Sequence, residues 1–443
     1  MVTGANYLLE AKGEDGKTTK ILIDCGLHQG SGFAERQNFE AFPYDPESID
    51  AVFVTHAHID HTGLLPKLFK DGFRGKIYST EATKEFAEIL LLDSEHILAM
   101  EAERVKKPPL YHEGDVYDAM KLWEGVDYHK LIIVGAFKIE LFDAGHILGS
   151  AFIKIEAEGK SVVFSGDLGN YPAPIIKPTE KLPEVDYCLI ESTYGDRVHE
   201  DVDHRREMLE DAIEDTVKSG GVLVIPAFAM ERTQQLLFEL NELVEHGRIP
   251  KLPIYIDSPL AIKLTKIYKK FTSYFNKETS GIVKSGDDIL SFPGLHMTLT
   301  TQESKGINSV RPPKVIVAGS GMSQGGRIIH HEKLYLPDPK NTILFIGFQA
   351  KGSMGREILE GAESVRILRE DVPIRAKAVV IHGYSAHADQ PRLIEWLKPA
   401  RMALKKVFVI QGEEDSAKAL SAKINDDLAI HAEVPNQGDS VEF

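Results

Sequence analysis

The sequence predicts a mixed α/β protein in which a β-rich domain is interrupted by an inserted parallel α/β domain. Short β-rich runs separated by turn residues occupy the first part of the chain. From about residue 200, strand-like runs and helical patterns alternate, which is typical of a parallel sheet. Later, β-rich segments return. We therefore expect a first domain over 1–195, an inserted domain over 196–366, and a return to the first domain over 367–443.

The elements of the first segment follow from local patterns. The apolar runs KILIDCG, AVFVTHAH, KIELFDAG and SVVFSGD each end in polar or glycine residues, as strands do where they enter turns. Apolar residues at helical spacing predict one long helix over about 81–105. Two sheets with helices outside them accommodate these elements.

The inserted segment alternates regularly. A helical pattern near 203–218 precedes GVLVIPAF, a second helix begins at Glu231, and a third begins at Pro259 after PIYIDS. PKVIVAG and TILFIGF add further strands. The returning segment contains KAVVIHGYSAHAD, a helix from Gln390 and the strand KKVFVIQG.

Composition restricts the class of protein. The 443 residues carry a formal net charge of −16, which argues against a phosphate-rich partner unless metal ions and a local basic groove supply the attraction. Cys25 and Cys188 both lie in apolar runs, so we expect no disulfide and a cytoplasmic location. No apolar run approaches the roughly 18 residues of a membrane span, so no membrane partner is expected.

The strongest chemical signal is the run THAHIDHTG, which directly follows the apolar run AVFV. It places His56, His58, Asp60 and His61 within six positions. A strand that ends in a short loop can direct several side chains to one point, and crowded histidines and carboxylates are costly to bury without a partner. Histidine nitrogen and carboxylate oxygen are the usual donors to zinc. The run therefore predicts a zinc site, with a solvated histidine-rich loop as the alternative.

Two isolated residues share the setting of that run. His146, in DAGHILGS, and Asp167, in FSGDLG, each lie beside glycine next to a strand-like run. Taken alone, each is explained as a turn or capping residue. Glycine at a strand end also allows a loop to approach a metal closely, which makes both residues candidate ligands.

These motifs, in this order, resemble those of the metallo-β-lactamase superfamily. The resemblance implies an αββα sandwich that binds two zinc ions. It assigns His56, His58 and His146 to one zinc ion, Asp60 and His61 to the second, Asp167 to a bridging position, and Asp24 in LIDCG to the support of the ligands.

Later segments resemble the β-CASP nuclease family, and most closely the bacterial and archaeal relatives of the cleavage-and-polyadenylation specificity factor endonuclease. The likeness rests on LIESTYG, SAHAD, IPAFAMERTQQLL, IDSPLA, AGSGMSQGGR and GFQAKGSMGR, and it covers nearly the whole chain. It implies an inserted β-CASP domain and a zinc-dependent ribonuclease. We expect endonucleolytic cleavage of single-stranded RNA, with 5′ exonucleolytic cleavage and a homodimeric assembly left open.

Residue roles follow from this chemistry. We predict that His387, held by Glu191, donates the proton to the leaving ribose oxygen, an ordinary ion pair being the alternative. Asp24 and Asp60 complete the predicted catalytic set. The predicted phosphate contacts are Ser320, Gly325 and Arg327 in the glycine-rich segment, together with Arg232, Lys351 and Arg356. Tyr194 and Phe228 are either base-stacking aromatics or core residues.

The sequence departs from the family pattern at two places. Gln411 occupies the position of a histidine that would bind the second zinc ion, which predicts a weaker second site. The start lacks a strand with a Leu-Gly pair, so we expect an edge strand of the first sheet to be missing. The substitution at Gln411 leaves open an RNA-binding or partner subunit of an RNA-processing complex. A small-molecule esterase or lactonase of the same fold is a third alternative, against which the large inserted region argues.

Overall fold

The computed structural model describes residues 2–30, 36–199, 202–347, 349 and 352–443. The chain forms two compact units. Unit 1 comprises Met1–Val198 and His387–Phe443, and unit 2 comprises His199–Ala386. The chain therefore returns to unit 1 at His387 rather than at residue 367, because the strand Lys377–Val380 pairs with Thr342–Phe345 in the sheet of unit 2.

The strands are numbered in chain order over the described residues. Those of unit 1 before the insertion are β1 (Tyr7–Lys12), β2 (Thr18–Ile23), β3 (Ala51–Phe53), β4 (Lys76–Ser79), β5 (Trp123–Gly125), β6 (Ile132–Val134), β7 (Phe137–Asp143), β8 (Ala151–Ala157), β9 (Lys160–Phe164) and β10 (Tyr187–Glu191). Unit 2 contains β11 (Val222–Pro226), β12 (Ile254–Asp257), β13 (Leu295–Met297), β14 (Lys314–Ala318), β15 (Thr342–Phe345), β16 (Ser364–Ile367), β17 (Glu370–Pro373) and β18 (Lys377–Val380). Unit 1 ends with β19 (Lys406–Ile410) and β20 (Ala432–Glu433).

The α-helices are numbered in the same way. They are α1 (Ile59–Thr62), α2 (Leu65–Lys70), α3 (Glu81–Val105), α4 (Glu113–Lys121), α5 (Val202–Ser219), α6 (Arg232–Glu245), α7 (Pro259–Lys270), α8 (Lys277–Lys284), α9 (Thr301–Gly306), α10 (Ile328–Tyr335), α11 (Met354–Leu359), α12 (Gln390–Leu397) and α13 (Glu414–Leu428). Within the described helices, no apolar stretch reaches the length that a bilayer crossing requires.

Unit 1 consists of two sheets that share one apolar core. The described strands are ordered β1-β2-β3-β4-β5 in one sheet and β20-β19-β10-β9-β8-β7-β6 in the other. Phe53 of the first sheet and Ile153 of the second belong to the same buried cluster. Helices α12 and α13 cover the far side of the second sheet, for example through Leu393 and Leu420. Helix α3 packs against β5 of the first sheet. This order of layers is the predicted αββα sandwich, and α3 has the predicted bounds.

Unit 2 is built on a parallel sheet with the described strand order β13-β12-β14-β11-β15-β18. Every pairing in this sheet is parallel. All five residues of β11 are buried, as expected for a strand covered on both faces. Helices α5, α6 and α7 begin at or within a residue or two of the predicted positions. The inserted parallel α/β domain is therefore confirmed.

Candidate metal centre

The histidine-rich loop lies at the carboxyl end of β3 in unit 1. All three residues of β3 are buried, and the chain continues through His56 and His58 into α1, whose first turn carries Asp60 and His61. The end of β2 approaches this turn closely. A Cβ atom on Gly26 would lie 1.6 Å from the carbonyl oxygen of Asp60, so only glycine allows this approach.

Four predicted ligands from three separate segments meet here. His56, His58, His146 and Asp167 each place one donor atom within 4.8 Å of the others. His56 Nε2 lies 3.0 Å from His58 Nδ1 and 3.3 Å from Asp167 Oδ2. His146 Nε2 lies 3.4 Å from His58 Nδ1 and 3.5 Å from Asp167 Oδ2. Three imidazole nitrogens and a carboxylate oxygen that converge in this way form a donor set that fits zinc.

His61 connects this group to a second set of donors. Its Nδ1 lies 2.7 Å from Asp24 Oδ2, which directs Nε2 towards the cluster. His61 Nε2 lies 3.5 Å from Asp167 Oδ1, 3.9 Å from Asp60 Oδ2 and 3.1 Å from the Gln411 side-chain nitrogen. The residues predicted for the second zinc ion are therefore also brought together, and the side-chain amide of Gln411 lies beside His61.

Asp24 lies behind His61, on the side away from the histidine cluster. It is buried and adopts a φ of 58°. The backbone N–H and the hydroxyl of Thr55 each donate to its carboxylate, both at 2.8 Å. A carboxylate that fixes the ring nitrogen of a ligand on the side away from the metal orients that ligand and increases its basicity. Asp24 therefore contacts His61 on the ring side that faces away from the histidine cluster, and its supporting role stays a prediction.

Burial and charge divide the histidines into two classes. Burial, assisted by the neighbouring His56, lowers the pKa of His58 well below its ordinary value. Burial and His387 do the same to the pKa of His146. At His61, burial is outweighed by Asp167, Asp24 and Asp60, which raise its pKa well above the ordinary value. Neutral rings are the form that binds a metal, so His58 and His146 would bind one without losing a proton, whereas His61 would have to release one.

A second group lies beside the first. Glu191 at the end of β10 is fully buried, and its carboxylate accepts the backbone N–H of Leu168 at 2.6 Å. His387 Nδ1 lies 3.2 Å from Glu191 Oε2 and 3.8 Å from Asp167 Oδ2. The backbone of His387 forms a β-bridge with Gly169. His387 is thus fixed by its backbone and by Glu191, and its side chain remains 22% exposed.

The predicted phosphate contacts are arranged differently. Ser320 and Gly325 belong to one turn, in which the N–H of Ser320 donates to the carbonyl of Gly325 at 3.1 Å. Arg327 Nη1 donates to Asp257 at 2.6 Å, and its other contacts are the carbonyls of Thr298 and Leu299. The remaining predicted cations are Arg232, which pairs with Glu231, Arg356, which pairs with Glu360, and Lys351, which lies outside the described residues.

Sequence reasoning gave no role to Asp257, which organises this region. Its buried carboxylate accepts hydrogen bonds from Thr298, Ser304 and Arg327, and His331 Nε2 lies 2.7 Å from it. These contacts hold the pKa of Asp257 below its ordinary range although burial opposes them. The available signal was the position of Asp257 at the end of the strand in IDSPLA, before a helix. The role of Arg327 in phosphate binding stays a prediction, and its contacts describe a structural support.

Three domain families match the chain. Residues 4–218 match the metallo-beta-lactamase superfamily, residues 233–358 match the Beta-Casp domain, and residues 371–435 match the Zn-dependent metallo-hydrolase RNA specificity domain. A solved structure of a protein from Enterococcus faecalis V583 superposes on 99% of this chain, using 97% of its own residues. The TM-score is 0.52 and the sequence identity is 12%. At this identity, the solved structure supports the fold alone.

Similar proteins occur in bacteria and archaea. Ribonuclease TTHA0252 of Thermus thermophilus is 39% identical over 95% of this chain and 92% of its own. An RNase J-like protein of Methanocaldococcus jannaschii is 33% identical over 95% of this chain and 93% of its own. The transcription termination factor FttA of Methanosarcina mazei is 32% identical over 93% of this chain. The matched region makes up 66% of the length of that factor.

Proposed function

The chain belongs to the β-CASP family of the metallo-β-lactamase superfamily, and from this premise we propose that it is a zinc-dependent ribonuclease that hydrolyses phosphodiester bonds in single-stranded RNA. One observation carries the proposal. A set of three histidines and Asp167, all buried except the half-buried His58, lies directly beside the His387–Glu191 pair, with Asp167 in both groups. Metal binding and proton transfer can therefore act on one phosphodiester.

The donor set fits zinc, and the roles of the residues follow from their positions. His56, His58 and His146, with Asp167, would hold the first ion, and Asp60 and His61, again with Asp167, would hold the second. When bound, zinc stabilises developing negative charge and lowers the pKa of a water molecule. Gln411 would offer the second ion an amide oxygen, a weaker zinc donor than imidazole. We therefore propose that the second ion is held less tightly.

His387 would transfer the proton. With Nδ1 towards Glu191, its Nε2 is the atom that exchanges a proton with the substrate. The leaving ribose oxygen needs this proton, because a bare alkoxide is a poor leaving group at neutral pH. The buried Glu191 carboxylate stabilises the charged ring before transfer and fixes its orientation. Asp24 acts one step further out, by holding His61.

Cleavage of an end-labelled single-stranded RNA tests the proposal. The chain is stripped with a chelator, assayed, and assayed again after zinc is restored. We expect cleavage only in the presence of zinc, and internal fragments would identify endonucleolytic cleavage, whereas labelled mononucleotides would identify 5′ exonucleolytic cleavage. A double-stranded RNA of the same sequence tests the preference for single strands. Absence of cleavage with zinc bound in both sites would contradict the proposal.

A second candidate function, an RNA-binding or partner subunit with weak catalysis, is favoured by the single observation that Gln411 lies against His61. Under this alternative, the chain binds RNA but does not cut it at any zinc concentration. Hydrolysis of an activated aryl ester tests the third alternative, a small-molecule esterase or lactonase, because such an enzyme would hydrolyse the ester faster than RNA.

The location and assembly are also part of the proposal. Cys25 and Cys188 are free and buried, which fits a reducing cytoplasm. A homodimer is the proposed assembly, and light scattering of the purified chain tests it.

A further inference from the structure

Phe228 is an exposed aromatic side chain two residues after the end of β11 in unit 2. The connection from β11 leads to β12 on one side of the sheet, while the connection from its neighbour β14 leads to β15 on the other side. In open α/β sheets, ligands bind outside the carboxyl ends of two adjacent strands whose connections run in opposite directions. Phe228 and the glycine-rich segment 319–327 follow these two strands, so they border this position.

One part of the Phe228 ring rests on the glycine-rich segment. A Cβ atom on Gly321 would lie 2.6 Å from the Cδ2 atom of the ring, so only glycine lets the ring pack this closely. The side-chain nitrogen of Gln349 donates to the carbonyl of Gly321 at 2.9 Å and braces the segment. The ring therefore lies on a backbone surface that is itself held in place.

The backbone around Phe228 is fixed as well. The hydroxyl of Thr233 donates to the carbonyl of Phe228 at 2.7 Å. The N–H of Ala227 donates to the carbonyl of Ala318 at 3.0 Å. Because the backbone at Phe228 is already ordered, a ligand that binds the ring loses little free energy in ordering it.

The exposure of Phe228 sets it apart. Among the described residues of unit 2, it is the only exposed phenylalanine, tyrosine or tryptophan, and 39% of its surface is accessible. Folding normally buries such a ring, whereas proteins that bind single strands keep aromatic rings exposed for bases to stack on. Stacking accepts any base, because every base has a π-face.

We propose that Phe228 is a stacking platform for one base of a single-stranded RNA, an inference that rests on the proposed ribonuclease function. The platform consists of Phe228 on Gly321, braced by Gln349. It recognises the flat face of a base rather than its hydrogen-bonding edge. It thereby fixes the position of the strand without selecting its sequence.

The experiment measures binding of a short labelled RNA to the full chain with zinc bound, in a His387→Ala background that suppresses cleavage. The RNA is compared with a series of copies in which one nucleotide at a time is replaced by an abasic residue. We expect one position at which loss of the base weakens binding about tenfold. In Phe228→Ala, binding of the intact RNA should fall by a similar factor, and the abasic substitution should cost nothing more.

Matched variants separate stacking from folding. Phe228→Tyr keeps the π-face and should retain the sensitivity to the abasic position, whereas Phe228→Leu keeps an apolar side chain on Gly321 and should lose it. Tyr117→Ala removes an aromatic residue of similar exposure, 43%, from α4 and should leave the sensitivity unchanged. If Phe228→Leu keeps the same sensitive position, the stacking role is overturned while the ribonuclease proposal stands. If the parent chain binds no RNA, both are overturned.

Discussion

In unit 1, histidine nitrogens and carboxylate oxygens face one another across 3.0–3.5 Å, and two of those histidines have their pKa lowered by burial. In unit 2, each described cation that we predicted to bind phosphate is already paired with a carboxylate: Arg327 with Asp257, Arg232 with Glu231, and Arg356 with Glu360. Groups that converge without neutralising one another indicate a ligand site. The arginine–carboxylate pairs of unit 2 are contacts of structural support, and phosphate binding by these arginines stays a prediction.

The largest expected effect is at His387. It tests whether His387 is a proton donor that is distinct from the metal ligands of unit 1. His387→Ala should reduce RNA cleavage by about 10²–10⁴-fold, the usual contribution of a general acid. Zinc content, measured by elemental analysis, should not change. His204→Ala, at an exposed position on α5, should affect neither quantity. If zinc is lost together with activity, His387 is a metal ligand and not a separate proton donor.

The next effect concerns the support behind the ligands. Asp24→Asn removes the charge that faces His61 Nδ1 and should weaken zinc binding by about 10–100-fold. Competition with a coloured zinc chelator measures the affinity. Asp15→Asn, in an exposed turn, is the matched control. Unchanged affinity in Asp24→Asn would show that Asp24 only shapes the loop.

Arg327→Ala tests the unit 2 side of the comparison. It leaves the buried Asp257 carboxylate with fewer donors and should reduce the free energy of unfolding by about 1–3 kcal/mol, measured by urea titration. Arg356→Ala breaks an exposed pair and should change it by less than about 0.5 kcal/mol. If Arg327→Ala unfolds like the parent chain but binds RNA with a weaker salt dependence, Arg327 contacts phosphate as the sequence predicted.

Glu332 sharpens the comparison, because it is a buried carboxylate whose described partner is the Ser323 hydroxyl rather than a cation. Burial raises its pKa to about 8. The folded state therefore binds a proton more tightly than the unfolded state, so stability falls as pH rises from the ordinary glutamate range to about 8. Glu332→Gln should remove this fall and gain about 1–2 kcal/mol at pH 9 relative to the parent chain. Equal melting shifts at pH 5 and pH 9 would contradict it.

The smallest expected effect is at Gln411. Its φ of 47° lies in the left-handed region, which histidine tolerates better than most residues. Gln411→His should therefore fold, retain more of the second zinc ion after dialysis, and raise cleavage at low zinc. Gln411→Asn keeps an amide and serves as control. If the parent chain already retains the second ion and the histidine changes nothing, the position does not limit metal binding.

Much of this structure could be predicted, because many of its elements depend on residues close together in the sequence or were implied by the family resemblance. The bounds of α3 follow from helical periodicity, and the convergence of His56 and His58 follows from a strand end. The return to unit 1 at His387 was not predictable, because only the pairing of β18 with β15 decides which unit that strand joins. The partner of Arg327 was equally hidden, since Asp257 lies 70 positions away.

The pairing of β10 with β19 has a consequence for how the protein is made. The Ser192 hydroxyl donates to the carbonyl of Ile410, 218 positions later in the chain. A strand cannot pair with a partner that the ribosome has not yet produced. Synthesis of the intervening segment takes on the order of ten seconds or more, during which unit 2 can fold but β10 remains an edge of its sheet. His387 and Gln411 also emerge after unit 2. The site proposed above can therefore be complete only after unit 2 and the returning segment that carries His387 and Gln411 have been synthesised.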